Sequence, residues 1–140
     1  MTQGFLNLVG SSKSATIVNV SSCASIGTHP GVSSYALSKM LLAPLQSYVA
    51  AENSNIMAVT LDPGFADTDM LPDTYKHIYQ TSFELIGAAA VWLTTEEASF
   101  MNGRFLNVNW DVEELLERKE EIVKENKLVF GFVGKLGTPV

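Results

Sequence analysis

Two short apolar runs, Ala15–Val20 and Ile56–Leu61, do most to limit what this chain can fold into. Each is about the length of one strand, and the first is rich in β-branched residues, which suits a strand buried in a parallel sheet. Between them lies a loop at Thr28–Ser34, marked by Pro30 and Gly31, and then a helical stretch reaching about Asn53. Ser33 or Ser34 is available as the N-cap of that helix. Leu37, Leu41, Leu45, Tyr48 and Val49 give it an apolar stripe of the kind that faces a core. Pro44 falls inside the stretch, where it removes one backbone bond and crowds the carbonyl of Met40, so a kink is expected there. The second run closes at Asp62-Pro63-Gly64, and residues 65–81 read as a long loop or short helices. Phe83–Thr95 predicts a further helix, Gly103 precedes a third strand at Arg104–Val108, and Val112–Asn126 predicts an amphipathic helix. In that last helix Val112, Leu115, Leu116, Ile122 and Val123 share one side, and its mixed charges form a solvated face. Strand, helix, strand, helix, strand in this order implies an α/β fold with right-handed parallel crossovers.

Composition narrows the function classes. A chain of 140 residues, 46% hydrophobic and 17% charged, reads as one globular domain over residues 1–140. A formal charge of −6 excludes the clustered basic footprint of a nucleic-acid binder. No run approaches the roughly 18 consecutive apolar residues of a membrane span, and no signal peptide opens the chain. The single cysteine, Cys23, has no internal partner, so a reducing, cytoplasmic setting is the default expectation. As a side chain Cys23 reads as a small buried group and not as a nucleophile. His29 and His77 have no partners at metal-ligand spacing, and no metal role is expected for them.

The chemistry-bearing pattern is a serine, a tyrosine and a lysine. Ser22 ends the first strand, Tyr35 follows thirteen residues later, and Lys39 stands four beyond Tyr35. Four apart on a helix, Tyr35 and Lys39 project from the same face one turn apart. An ammonium beside a phenol stabilises the phenolate, and a hydroxyl at the strand end can hold a substrate oxygen against that phenol. After the second strand comes Pro63-Gly64-Phe65-Ala66-Asp67-Thr68-Asp69-Met70, again at the C-terminal end of a parallel strand, where open α/β sheets bind ligands. Together these motifs resemble the catalytic half of the short-chain dehydrogenases/reductases. The resemblance spans about Ala15–Asp111, with the stretch Asn102–Asp111 similar to the family's final strand; its Asn-Trp-Asp ending is of the kind found in fungal members. Within it Trp110 reads as a packing residue.

That resemblance implies a Rossmann-like, doubly wound parallel sheet, of which this chain supplies the last three strands. It implies hydride transfer between NAD(P)(H) and a small-molecule carbonyl or secondary alcohol. Tyr35 is then the general acid/base, and Ser22 orients the substrate oxygen. Lys39 holds the nicotinamide ribose and acts on Tyr35. Pro63, Gly64, Phe65 and Ala66, with Thr68, receive the carboxamide end of the cofactor, and Tyr35 and Lys39 complete the cofactor contacts. The segment Leu71–Gln80, with Tyr75, His77 and Tyr79, corresponds to the loop that covers substrate in the family.

Two departures qualify the implication. The family's Thr-Gly-x-x-x-Gly-x-Gly turn, which takes the pyrophosphate at a helix N-terminus, has no counterpart here. Gly131, Gly134 and Gly137 are spaced in threes but read as a flexible tail. The family's catalytic asparagine is also missing, because counting back from Ser22 passes Met1 before reaching its place, and Asn7 is too close to replace it. Residues 1–11 look like a helix entered mid-element, so the chain is expected to be N-terminally truncated, to bind NAD(P)(H) weakly or not at all by itself, and to associate through an open sheet edge. A possible homo-oligomer, a non-catalytic remnant acting only by subunit association, and a fragment of a longer active enzyme all stay open. The residue that separates NAD from NADP follows a strand with no counterpart in this sequence.

Overall fold

The computed structural model describes residues 1–71, 73–78 and 80–132. Three strands form one parallel sheet in the order β1 (Ala15–Val20), β2 (Ile56–Asp62), β3 (Phe105–Asn107). Ala15 pairs with Ile56 and Val20 with Leu61 across one ladder; Thr60 pairs with Phe105 and Asp62 with Asn107 across the other. Strand β3 is shorter by a residue at each end than the predicted Arg104–Val108, although Arg104 and Val108 still exchange backbone hydrogen bonds with Thr60 and Asp62.

Helices cover both faces of β2, which is why that strand is buried along nearly its whole length. Alternate side chains of a strand point to opposite faces. On one face Val59 and Leu61 pack with Leu106, Met101, Leu93 and Ala89, and with Leu115 and Ile122. These last residues lie on α4 (Phe83–Trp92) or just after it, on α5 (Val112–Glu117) and on α6 (Lys119–Lys124). On the other face Ile56 and Ala58 pack with Val49 of α3 (Leu42–Glu52), and Leu6 and Val9 of α1 (Thr2–Val9) close the same cluster. The doubly wound parallel sheet expected from the sequence is what the chain forms. No helix among the described residues is long and apolar enough to cross a membrane.

The helix after the loop departs from expectation in three ways. It is two helices, α2 (Ser33–Met40) and α3, divided at Leu41. Pro44 thereby becomes the third residue of a new helix, in the first turn, where a backbone N–H has no intrahelical partner to lose. Val32, and neither serine, occupies the N-cap position of α2. The expected apolar stripe is corrected as well: Leu37, Leu41, Leu45 and Tyr48 are exposed, Leu41 at 70% and Tyr48 at 67%, while Ala36, Ala43, Gln46 and Val49 face inward. The sheet beneath carries Ala58 and Thr60, and α3 meets it through Ala43, Gln46 and Val49. The large leucines are left on the outside.

The remaining differences are smaller. The predicted helix Phe83–Thr95 stops at Trp92, with Ser82 as its N-cap through a 3.2 Å bond from the Leu85 N–H. The predicted Val112–Asn126 is split at Arg118 into α5 and α6. Of its apolar side, Leu115 and Ile122 are buried and Val123 is exposed. Trp110 packs against Phe105 with ring centroids 6.2 Å apart, as expected of a packing residue. Gly134 and Gly137 lie outside the described residues, as does Tyr79.

The inverted helix face gives a direct test. Leu41→Ala should change the free energy of urea unfolding by no more than about 0.5 kcal/mol, as for an exposed site. Val49→Asp puts an unpaired carboxylate against Ile56 and Ala58 and should cost more than about 3 kcal/mol. Equal sensitivity at the two positions would contradict the observed orientation of α3.

Candidate active site

The parallel register brings the C-terminal ends of all three strands to one side of the sheet, and every chemistry-bearing motif of the sequence sits there. At the end of β1 the chain turns through a short 3-10 helix, Cys23–Ser25. Ser22 precedes it in extended conformation, and its Oγ accepts a 3.2 Å hydrogen bond from the Ala24 N–H. That bond uses an oxygen lone pair, and the same hydroxyl also lies toward the Cys23 thiol.

Tyr35 and Lys39 lie one turn apart on α2, as their spacing requires. The Lys39 ammonium stands over the Tyr35 ring at 5.8 Å from its centroid and donates a 3.1 Å hydrogen bond to the Val20 carbonyl, at the last residue of β1. The lysine thus spans from the helix to the strand end beside Ser22. Tyr35 is 38% exposed, and among the described residues no hydrogen bond joins its hydroxyl to Ser22 or to Lys39. The structure brings the phenol and the ammonium together; Ser22 belongs to the turn against which α2 packs.

Two buried serines, not singled out in the sequence, fix this arrangement. Ser21 is only 2% exposed, and its hydroxyl lies 3.1 Å from the Lys39 carbonyl and 3.3 Å from the Ser25 hydroxyl. Ser25, also 2% exposed, donates at 2.7 Å to the Ser22 carbonyl. The division of the helix at Leu41 is what leaves the Lys39 carbonyl short of its usual partner four residues on, and Ser21 supplies a donor. The only sequence signal for this was the doubled Ser-Ser after a strand, which is also common turn chemistry.

Pro63, Gly64, Phe65, Ala66 and Thr68 leave the end of β2, one strand over. Gly64 has φ +69°, a conformation that favours glycine, and a side chain there would meet the Thr81 hydroxyl and the Asn109 side-chain amide. The Phe65 carbonyl accepts from the Thr81 N–H at 2.8 Å, while the N–H groups of Phe65 and Ala66 donate to no backbone carbonyl among the described residues. The Phe65 ring is stacked with Tyr75 at 6.2 Å, which ties the segment to a 3-10 turn at Asp73–Tyr75 in the expected loop. Thr68 and His77 are exposed.

Beneath these residues sits a group that sequence reading passed over. Asp62 is fully buried; one carboxylate oxygen accepts from the Gly64 N–H at 3.1 Å and the other from the Asn107 side-chain amide at 2.7 Å. Burial holds its carboxyl above the ordinary aspartate range, with the Gly64, Asn107 and Cys23 donors pulling the other way. The neighbouring Cys23 thiol is pushed up as well, first by burial and then by the Asp62 charge. A half-buried thiol held protonated agrees with its reading as a small side chain. Grooves of about 410 Å³ occur elsewhere, one lined by Ser14, Thr16 and Thr95 at the opposite end of the sheet and one by Ser47, Arg104 and Phe130.

Comparison with known proteins follows the same lines. The family model for short chain dehydrogenases matches residues 1–78. The chain belongs to the short-chain dehydrogenase family. It is 38% identical over 133 residues to the short chain dehydrogenase mpl6 of Monascus purpureus, covering 91% of this chain and 46% of that protein. It is 32% identical over 132 residues to andI of Emericella variicolor, with the same two coverages. The chain therefore spans about half the length of the curated relatives it matches. Among solved structures, a short chain dehydrogenase from Salmonella enterica serovar Typhi superposes with TM-score 0.68 at 19% identity, over 78% of this chain and 47% of that one. A gluconate 5-dehydrogenase from Burkholderia cenocepacia, in complex with NADP and tartrate, gives 0.61 at 20% identity over 76% and 46%. At such identity the two structures establish a shared fold.

The site's local supports predict a graded response. Gly64→Ala should lower stability by more than about 1 kcal/mol through backbone strain and the clash with Thr81. Ser21→Ala should cost about 1–2 kcal/mol, since it removes a buried hydroxyl that donates to the Lys39 carbonyl. Thermal unfolding of the two variants checks both values; an unchanged midpoint for Gly64→Ala would mean that the loop after β2 is not held as described.

Proposed function

We propose that this chain is the catalytic C-terminal half of an NAD(P)-dependent oxidoreductase that interconverts a small-molecule carbonyl and a secondary alcohol. The observation that carries the reading is the Lys39 ammonium held over the Tyr35 ring and anchored on the strand end next to Ser22. A phenol, a cation and a hydroxyl on one strand–turn–helix unit can handle the proton that must accompany hydride transfer. Tyr35 delivers that proton to the substrate oxygen or removes it. Ser22 donates its hydroxyl proton to the same oxygen and orients it. Lys39 places positive charge beside the phenol and keeps the capacity for further donated bonds.

The residues present fit the nicotinamide end of the cofactor. The Phe65 and Ala66 N–H groups donate to no backbone carbonyl among the described residues and can serve a carboxamide, and Thr68 is exposed on the same segment. When bound, NAD(P)(H) supplies or takes up the hydride. The pyrophosphate turn has no counterpart in this sequence, so by itself the chain is expected to bind the cofactor weakly or not at all. A cytoplasmic setting suits the single unpaired thiol.

A second reading, a non-catalytic member that acts by subunit association, draws on two other observations. Among the described residues strand β1 has a sheet neighbour on one side only, its residues are half-buried, and Val20 is 48% exposed. Leu37, Leu41, Leu45 and Tyr48 form an exposed apolar stripe on α2 and α3. Open edges and large apolar patches invite pairing.

Each reading has its own measurement. In a polypeptide that also carries the glycine-rich N-terminal half, Tyr35→Phe should reduce ketone turnover by a factor of about 10² or more, because it deletes the proton donor and keeps the ring. Near-normal turnover would assign the proton to another group. For the chain alone, sedimentation should reveal self-association that Leu41→Glu weakens, and calorimetry at millimolar NAD(P)H should give little or no heat. Tight stoichiometric cofactor binding by a stable monomer would overturn both expectations.

A further inference from the structure

We infer that Asp62 is a positioning residue for the proposed site, a buried carboxylate that sets the geometry of the Ser22 turn and of the Pro63–Thr68 segment together; this rests on the functional reading above. The argument begins with the register. Asp62 is the last residue of β2 and pairs directly with Asn107 of β3, while the Ser21 N–H bonds to the carbonyl of Leu61, one residue before it. Its carboxylate therefore lies where three chain segments leave the sheet. One oxygen takes the Gly64 N–H and so fixes the tight turn from which Phe65, Ala66 and Thr68 emerge. The other takes the Asn107 side-chain amide, whose own oxygen accepts from the Asn109 N–H at 2.8 Å. Asn109 in turn meets the Thr81 hydroxyl at 3.4 Å, and Thr81 bonds through its backbone N–H to Phe65. Toward β1, the Cys23 backbone N–H lies close enough to favour the charged carboxylate.

The chemistry of this pocket suits a carboxylate and no other common side chain. Donors approach both oxygens, and an asparagine would turn its own NH2 toward one of them. A leucine would leave the Gly64 N–H and the Asn107 amide without partners. No cation offsets the charge among the described residues, and the neighbouring Cys23 thiol is itself held protonated by burial and by the Asp62 charge. A buried carboxylate without a cation is unfavourable to stability, so a purely structural role is better met by an apolar pair. What the carboxylate adds is a fixed relation between the Ser22 turn and the segment proposed to receive the carboxamide.

The test is a pH titration of the intact chain followed by NMR, with no cofactor present. The Gly64 and Cys23 amides and the Asn107 side-chain amide should share one midpoint, above the ordinary aspartate value of about 4. Titration of the Cys23 thiol lies above its ordinary 9.0 and is separate from it. Because the folded chain holds this proton more tightly than the unfolded chain, the stability that Asp62 contributes is full below about 4 and is lost as pH rises through the shared midpoint. Asp62→Asn should abolish the common titration, speed Gly64 amide exchange by a factor on the order of ten, and shift the Ser22 and Thr68 amides in a chain that remains folded. Should that variant fail to fold, Asn107→Ala decides: loss of one donor should move the midpoint further up while Gly64 and Cys23 still titrate together. Separate midpoints for the three signals, or changes in Asp62→Asn confined to Gly64 with Ser22 and Thr68 unmoved, would overturn the inference. The titration involves no turnover, so its failure is distinct from failure of the Tyr35 assignment, which Tyr35→Phe reads.

Discussion

The burial of β2 on both faces is the constraint from which the rest of the molecule follows. A strand covered by helices above and below can keep its backbone groups satisfied only by pairing with neighbours in the plane of the sheet. Here β1 and β3 supply that pairing in parallel register. Parallel register in turn sends all three strands out of the sheet at the same end. Ser22, the Pro63–Thr68 segment and Asn107 are neighbours for that reason, although the chain separates them widely. Apolar contacts hold the strand, with Leu61, Leu93, Met101 and Leu106 at 1% exposure or less. Polar contacts hold the strand ends.

Those polar contacts come as a connected set. Ser21 reaches the Lys39 carbonyl, Ser25 the Ser22 carbonyl, Lys39 the Val20 carbonyl, and Asp62 the Gly64 and Asn107 donors. Most satisfy backbone groups that regular structure leaves unpaired where a strand ends or a helix is interrupted. The interruption at Leu41 illustrates the economy of the arrangement. It moves Pro44 into a first turn, where its missing N–H does no harm, and it leaves a carbonyl that a strand-end serine can use to dock α2. The helix that bears Tyr35 and Lys39 is thereby joined to the end of β1, next to the turn that bears Ser22, by hydrogen bonds as well as by packing.

Family membership and chemical role rest on different observations in this protein. The match over residues 1–78 and the fungal relatives fix the family, and the chain spans about half of those relatives. The roles proposed for Ser22, Tyr35 and Lys39 draw on geometry, with the Lys39 ammonium over the Tyr35 ring and Ser22 on the adjoining turn. Exposure of the Leu37–Tyr48 stripe and of the β1 edge leaves apolar surface that a larger assembly would cover. The proposed catalytic reading and the association reading thus draw on the same short stretch of chain, the first on Tyr35, Lys39 and the adjoining turn, the second on the exposed leucines of α2 and α3.

The sequence by itself determined the strands, their order and the spacing of the site, because these depend on local composition and on periodicities of two and four residues. Apolar β-branched runs could only be buried strands, and Tyr35 and Lys39 four apart on a helix could only share a face. Tertiary structure decided everything that depends on what lies opposite a residue. The leucines at 37, 41 and 45 obeyed helical spacing and still faced outward, because α2 turns Ala36 inward and α3 turns Ala43, Gln46 and Val49 inward. Asp62, read as the end of a strand before a Pro-Gly turn, became a buried carboxylate only when parallel register set Asn107 beside it. Ser21 gained its partner only when the helix broke two residues after Lys39. Burial and pairing join residues far apart in the chain, and no local pattern carries that information.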